Sequence, residues 1–211
     1  PGQTTTAHIS KKLLTVSSIS ASNKAYDGNA IATSTITLSG FVGSETLTSS
    51  NLSSFNNKNV GTGKTVTVNS ITLANGTNGG LATNYSISSG QNTTANITAK
   101  ALTVSGITAS NKTYDGNNAA TLDTMSIVYN GIVAGDDFTG TYSGVFADAN
   151  VGTNKTVTIT PTYSGSDVNN YSVTDHATIT ANIIVKNLTA TASASNKVYD
   201  ATNSCLLYTS P

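Results

Sequence analysis

Lys24, Tyr26, Asp27 and Gly28 return as Lys112, Tyr114, Asp115 and Gly116, and the first three return again as Lys197, Tyr199 and Asp200. An amine three residues from a carboxylate can form an ion pair. If both are desolvated and another carboxylate relays the proton, it can also form a Lys-Asp or Lys-Asn isopeptide crosslink. Glu45 and Asp136 are the only recurrent acidic candidates for that relay. A pair so close in sequence is more often a weak, solvated one, so the crosslink is the lesser reading. A phenol beside a carboxylate, repeated copy after copy, could also line a ligand site. Against this, Asp-Gly is a favoured turn dipeptide, because Asp bonds the backbone just ahead and Gly accepts positive φ. The preferred reading is a structural turn with the Tyr ring packed in a core and its hydroxyl satisfied at the edge.

No other residues assemble a stronger chemistry. Asp136-Asp137 lacks the spaced carboxylates of a calcium loop and reads as a polar turn. His8 aligns with Asn96 and Asn182, and His176 has no partner near it in sequence, so neither suggests metal or acid-base work. No Ser/His/Asp set or carboxylate pair recurs. The expectation is a protein that is not an enzyme and uses no cofactor or metal. The Asn-x-Ser/Thr triplets, such as Asn92-Thr93-Thr94, follow from composition in a chain so rich in those residues.

The elements that hold these residues are themselves repeated. Tyr26 and Tyr114 lie 88 residues apart, Tyr114 and Tyr199 lie 85 apart. That period is a whole small domain rather than a solenoid repeat. Phe55 to Val68 matches Phe146 to Ile159, Asn84-Tyr85-Ser86-Ile87 matches Asn170-Tyr171-Ser172-Val173, and Thr6 to Lys12 aligns with Thr94 to Lys100 and Thr180 to Lys186. Residues 1–11 therefore read as the last strand of a preceding module, 12–99 as module one, 100–185 as module two, and 186–203 as the start of a truncated third. Residues 204–211 have no counterpart and resemble translated sequencing-adapter read-through; they include Cys205, the one cysteine.

Composition narrows the classes further. A formal net charge of +0 with 9% charged residues offers no field to gather phosphates or anionic lipid, so nucleic acid is not an expected partner. No apolar run approaches the length of a membrane span, and no membrane insertion is expected of this stretch. A chain free of genuine cysteine agrees with a secreted bacterial protein that crosses a membrane unfolded.

Alternation of period two appears at Ile36 and Leu38, Val66 and Val68, Tyr85 and Ile87, Ile127 and Tyr129, and Val157 and Ile159, which predicts half-buried strands. No window carries a helical apolar stripe. At the junction, Ile97 and Ala99 have odd parity and Leu102 and Val104 even parity; the switch predicts that the chain leaves one core and enters another, each repeat enclosing its own interior. The fold class expected is all-β: small modules, β-grasp-like or immunoglobulin-like sandwiches, joined end to end.

Leu14-Thr15-Val16 and Leu102-Thr103-Val104, Asn-Lys-x-Tyr-Asp-Gly, Gly40 to Val42 and Gly131 to Val133, Asn-Val-Gly-Thr and Asn-Tyr-Ser together resemble the YDG domain over about residues 5–200. That repeat is found in large secreted or surface-exposed bacterial proteins, including filamentous-haemagglutinin-like exoproteins. The resemblance implies an extracellular, mainly β module and no catalytic residue. Two departures stand in the third copy: Ala201 replaces the motif glycine, and the span from Leu188 to Lys197 is one residue shorter than that from Leu102 to Lys112. The expected function is a stalk or spacer of a secreted or cell-surface adhesin. Other parts of such a protein would meet a host glycan or protein. The alternative is that each repeat is itself a carbohydrate- or host-protein-binding module, with multivalency compensating for weak single sites.

Overall fold

Thr alternates with Val or Ile in stretches such as Thr65 to Val68 and Thr156 to Ile159, and in the computed structural model, which describes residues 2–176, 178–204 and 207–209, these runs are strands. No α-helix occurs among the described residues; the only helical turns there are the 3₁₀ segments Ala82–Asn84 and Val168–Asn170. The protein is all-β. Cys205, Leu206, Ser210 and Pro211, part of the C-terminal stretch singled out above, lie outside the described residues.

Each repeat builds the same five-stranded mixed sheet. In the first, the order is Lys24–Ala25, Asn92–Thr98, Gly61–Asn75, Leu47–Phe55, Ile31–Ala32; in the second, it is Lys112–Thr113, Thr178–Ile184, Gly152–Ser164, Thr139–Phe146, Ala119–Ala120. The short strand carrying the motif lysine runs parallel to its neighbour in both, with Lys24 opposite Ile97 and Lys112 opposite Ile183. A register shift falls at equivalent places, between Gly61 and Lys64 and between Gly152 and Lys155. Such bulges turn the strand locally and end regular pairing.

A smaller sheet completes the pattern. Lys100–Ser105 pairs antiparallel with Val128–Asn130 and parallel with Tyr171–Thr174. Its first-repeat counterpart is the parallel pair Lys12–Leu13 with Tyr85–Ser86. Beside it, Thr15–Ala21 pairs antiparallel with Ser34–Ser39.

The described residues divide into two compact units that do not follow the repeats. One unit comprises Pro1–Gly106, Ile127–Thr141 and Pro161–His176; the other comprises Ile107–Ser126, Tyr142–Thr160 and Ala177–Pro211. In the first unit, Tyr26, Phe55, Val66, Ala95 and Ile97 from repeat one share a single core with Leu102 and Tyr171 from repeat two, joined at its margin by Tyr129, Val133, Phe138 and Val173. The expectation of a private interior for each repeat is therefore corrected. The parity switch at Ala99-Lys100 is real, but Ile97 and Leu102 point into the same core from two different sheets, and Ala99 is exposed. A module of about 86 residues buries only about two thirds of its surface unaided. Here the apolar face of its large sheet is closed by strands of the following repeat.

The second unit has its own smaller core of Phe146, Val157, Ala181 and Ile183, with Ala109, Ala120, Leu122 and Ile179 against it. From the third copy, Ala192–Ala194 pairs antiparallel with Leu207–Thr209, while Leu188, Val198 and Tyr199 are almost fully exposed.

Candidate functional site

The Tyr-Asp-Gly segment is a clamped turn. Gly28 and Gly116 both take φ of 83°, a region open to glycine at little cost, and Ala201 of the third copy sits at 65°. The Asp27 carboxylate accepts the Asn29 N–H at 3.1 Å, and Asp115 accepts that of Asn117 at 3.1 Å. The motif lysine closes the loop: Lys24 Nζ lies 2.7 Å from Asp27 Oδ1 and also donates to Asn29 O, Asn29 Oδ1 and Ile31 O at 2.9 to 3.0 Å. Lys112 repeats the arrangement with Asp115, Asn117 and Ala119, and Lys197 pairs with Asp200 at 2.8 Å. The preceding asparagines pin the turn to the sheet, Asn23 Oδ1 accepting Asn96 N–H at 2.7 Å and Asn111 Oδ1 accepting Asn182 N–H at 2.8 Å. The bond from Lys24 holds Asp27 below its ordinary range against the effect of burial, and Lys112 does the same for Asp115.

Tyrosines in the three copies have different fates. Tyr26 is 1% exposed, Tyr114 is 41% exposed and Tyr199 is 90% exposed. The phenol of Tyr26 reaches a cluster of ionisable groups assembled entirely within the first unit. Its hydroxyl lies 3.0 and 2.9 Å from the two oxygens of Asp136, and Tyr171 donates to Asp136 Oδ2 at 2.5 Å while accepting the Val133 N–H at 2.9 Å. Lys58 Nζ bridges Asp136 at 3.1 Å and Asp167 at 2.8 Å. Asn170, itself buried, receives the Val60 N–H on Oδ1 at 2.9 Å and donates to Asp167 at 3.3 Å. The rings of Tyr26 and Tyr171 meet edge to face with centroids 5.6 Å apart.

The charge states in this cluster are held firmly. Burial pushes the Asp136 carboxyl up, but donation from Tyr171, Tyr26 and Lys58 outweighs it and leaves the group below the usual carboxylate range. Asp167 is lowered mainly by Lys58 and then by the Asp137 N–H. Asp167, in turn, is the main reason Lys58 holds its proton more tightly than a free lysine. Burial, assisted by Asp136, pushes the Tyr171 phenol up to about 12, and burial is also the largest influence raising Tyr26. Two anions, one cation and two neutral phenols form a static staple; none of these groups is poised to exchange a proton near neutral pH.

The other candidates fall elsewhere. Glu45 accepts a short hydrogen bond from Tyr85, whose hydroxyl also receives the Val42 N–H at 3.1 Å, so Glu45 and Tyr85 reproduce Asp136 and Tyr171. The proposed proton relays thus bond to tyrosines, whereas Lys24 and Lys112 spend their protons on the turn. Asp137 is more than a polar turn residue: its backbone N–H bonds Asp167 at 3.1 Å and its carboxylate accepts the Ser166 N–H at 2.9 Å. His8 and His176 are exposed, and no three metal-ligating side chains converge among the described residues. Lys58 and Asp167 were not singled out from the sequence, and Asn170 stood there only as part of the repeated Asn-Tyr-Ser landmark. Lys58 and Asp167 have no repeat to mark them, since Ala149 and Leu81 stand at the equivalent positions.

An all-β chain with duplicated sheets, identical clamped turns and tyrosine-carboxylate pairs in register is a tandem β-repeat protein. The YDG domain matches it twice, over residues 10–95 and 98–181, and the chain belongs to that family. No curated protein and no solved structure matches it.

Proposed function

We propose that these repeats are non-enzymatic structural spacers in a large secreted or cell-surface bacterial adhesin-like protein, where they hold a binding region supplied elsewhere. The observation that supports this reading is the use made of the motif residues: Tyr26 is buried where strands of both repeats meet, and its hydroxyl is bonded to Asp136 of the next repeat. Motif residues spent on locking repeats together favour mechanical continuity over ligand chemistry. The absence of a strongly charged surface suits a passive shaft.

A second reading, a repeated carbohydrate- or host-protein-binding module, draws on the exposed Tyr114 beside Asp115. Binding of the chain to arrays of glycans, mucins and matrix proteins separates the two. The spacer reading expects no saturable binding to any of them, together with resistance to unfolding under pulling force; saturable binding abolished by Tyr114→Ala would replace it with the binding module.

A further inference from the structure

The seam between the two repeats is built partly from residues that both copies carry and partly from residues that they do not share. Tyr26, Asn59, Asp136, Asn170 and Tyr171 have counterparts in Tyr114, Asn150, Glu45, Asn84 and Tyr85. Lys58 and Asp167 have none, since Ala149 and Leu81 take their places. These two departures from the repeat are partners: Lys58 Nζ lies 2.8 Å from Asp167 Oδ1.

The exchanges alter charge and keep the local frame. Lys58 sits in a loop where Asn57 Oδ1 accepts the Asn59 N–H at 3.0 Å and Lys64 Nζ at 2.7 Å. Around Ala149 the same loop recurs, Asp148 Oδ1 accepting the Asn150 N–H at 2.7 Å and Lys155 Nζ at 2.5 Å. Asp167 and Leu81 each stand immediately before a 3₁₀ turn, Val168–Asn170 and Ala82–Asn84.

The side chains of Asp136 and Asp167 are only 4% and 11% exposed, and Lys58 bridges them while its ammonium lies over the Tyr26 ring. Removing one member of such a group leaves charge buried without its partner, whereas replacing both by apolar side chains need not destabilise. An alanine at the Lys58 position leaves two carboxylates together without the ammonium. A leucine at the Asp167 position deprives Lys58 of its nearer anion. Alanine against leucine leaves only Asp136, which Tyr26 and Tyr171 still hold.

We propose that Lys58 and Asp167 select which repeats stand next to each other. The face of repeat two that carries Asp136 and Asp167 fits a preceding YDG repeat with a cation at the Lys58 position and disfavours one with alanine there. The tyrosine staple joins any two repeats; the ion pair discriminates among them. This goes beyond the spacer reading, which needs a seam but no preference among repeats, and its failure leaves that reading in place.

Four combinations at two positions of the full chain test it. Lys58→Ala presents repeat two with a neighbour of its own type, Asp167→Leu presents repeat one with a neighbour of its own type, and the double substitution sets up the reverse order. Hydrogen exchange of the amides in Gly61–Asn75 and Asn92–Thr98, which line the shared core, reads opening of the seam locally. Each single substitution is expected to lower protection, and the double to retain at least about fivefold more than the two losses combined predict. Lys58→Arg, which keeps the cation, is expected to stay closer to wild type than Lys58→Ala. A single variant that fails to fold while the double folds is the same result in stronger form. Single variants with wild-type protection, a smaller coupling, a double variant that does not fold, or a Lys58→Arg loss as large as that of Lys58→Ala each overturns the proposal.

Discussion

The Tyr26 hydroxyl lies 2.9 Å from Asp136 Oδ2, across 110 residues of chain. Bonds from a neutral donor to a buried carboxylate contribute about 1.5–3 kcal/mol. Tyr26→Phe should lower unfolding free energy by about that amount in urea titrations. Tyr114→Phe, at the matching position of the next copy, should change it by less than about 0.5 kcal/mol.

Glycine in the two turns offers a comparison at constant backbone geometry. Gly28 and Gly116 share φ of 83°, but only Gly28 has a neighbour in the way of a methyl group. Gly116→Ala should cost about 1–2 kcal/mol from conformation alone. Gly28→Ala should cost more, because Val133 must also move, and a difference in urea midpoints is the readout.

Stability should fall at both ends of the pH scale. Asp136 and Asp167 have folded-state values below the unfolded value of about 3.9, so their contribution is present above that pH and is lost as pH falls through the folded values. Tyr171 is raised to about 12, so its contribution is complete below the unfolded value of about 10 and fades as pH rises from there through its folded value. Urea midpoints measured against pH should show both limbs. Tyr171→Phe should flatten the alkaline limb, and Asp136→Asn the acid one.

Repeat one should not fold well by itself. A fragment of residues 1–99 lacks Leu102, Tyr129, Val133, Phe138, Tyr171 and Val173, which cover the core around Tyr26. Circular dichroism and denaturant titration should show a weak, poorly cooperative transition for that fragment and a sharp one for residues 1–185.

Much of the secondary structure was legible in the residues. Val66 and Val68, Val157 and Ile159, and Leu102 and Val104 alternate with polar neighbours and are buried in strands. The turn at Asp27-Gly28 was legible too, because Asx bonding and positive φ are local properties. Tyr26 packs in a core with its hydroxyl bonded, as the turn reading expects, but the exposure of Tyr114 and Tyr199 was not legible. Tyr26 and Tyr114 occupy the same local geometry, and what covers the ring comes from strands far along the chain. Lys58 and Asp167 escaped notice for a related reason: they meet only in space, and each occurs in one copy. The parity switch at Ala99-Lys100 correctly marked a change of sheet, but parity alone does not say whether two sheets look into one interior or two.

A core that straddles the repeat boundary also governs how such a gene can lengthen. Recombination that adds or drops one complete period, wherever in the period the crossover falls, rejoins the back of one copy to the front of another and recreates the same seam. An insertion out of phase leaves a large sheet without its cover. Variation in copy number is thereby tolerated in whole steps only.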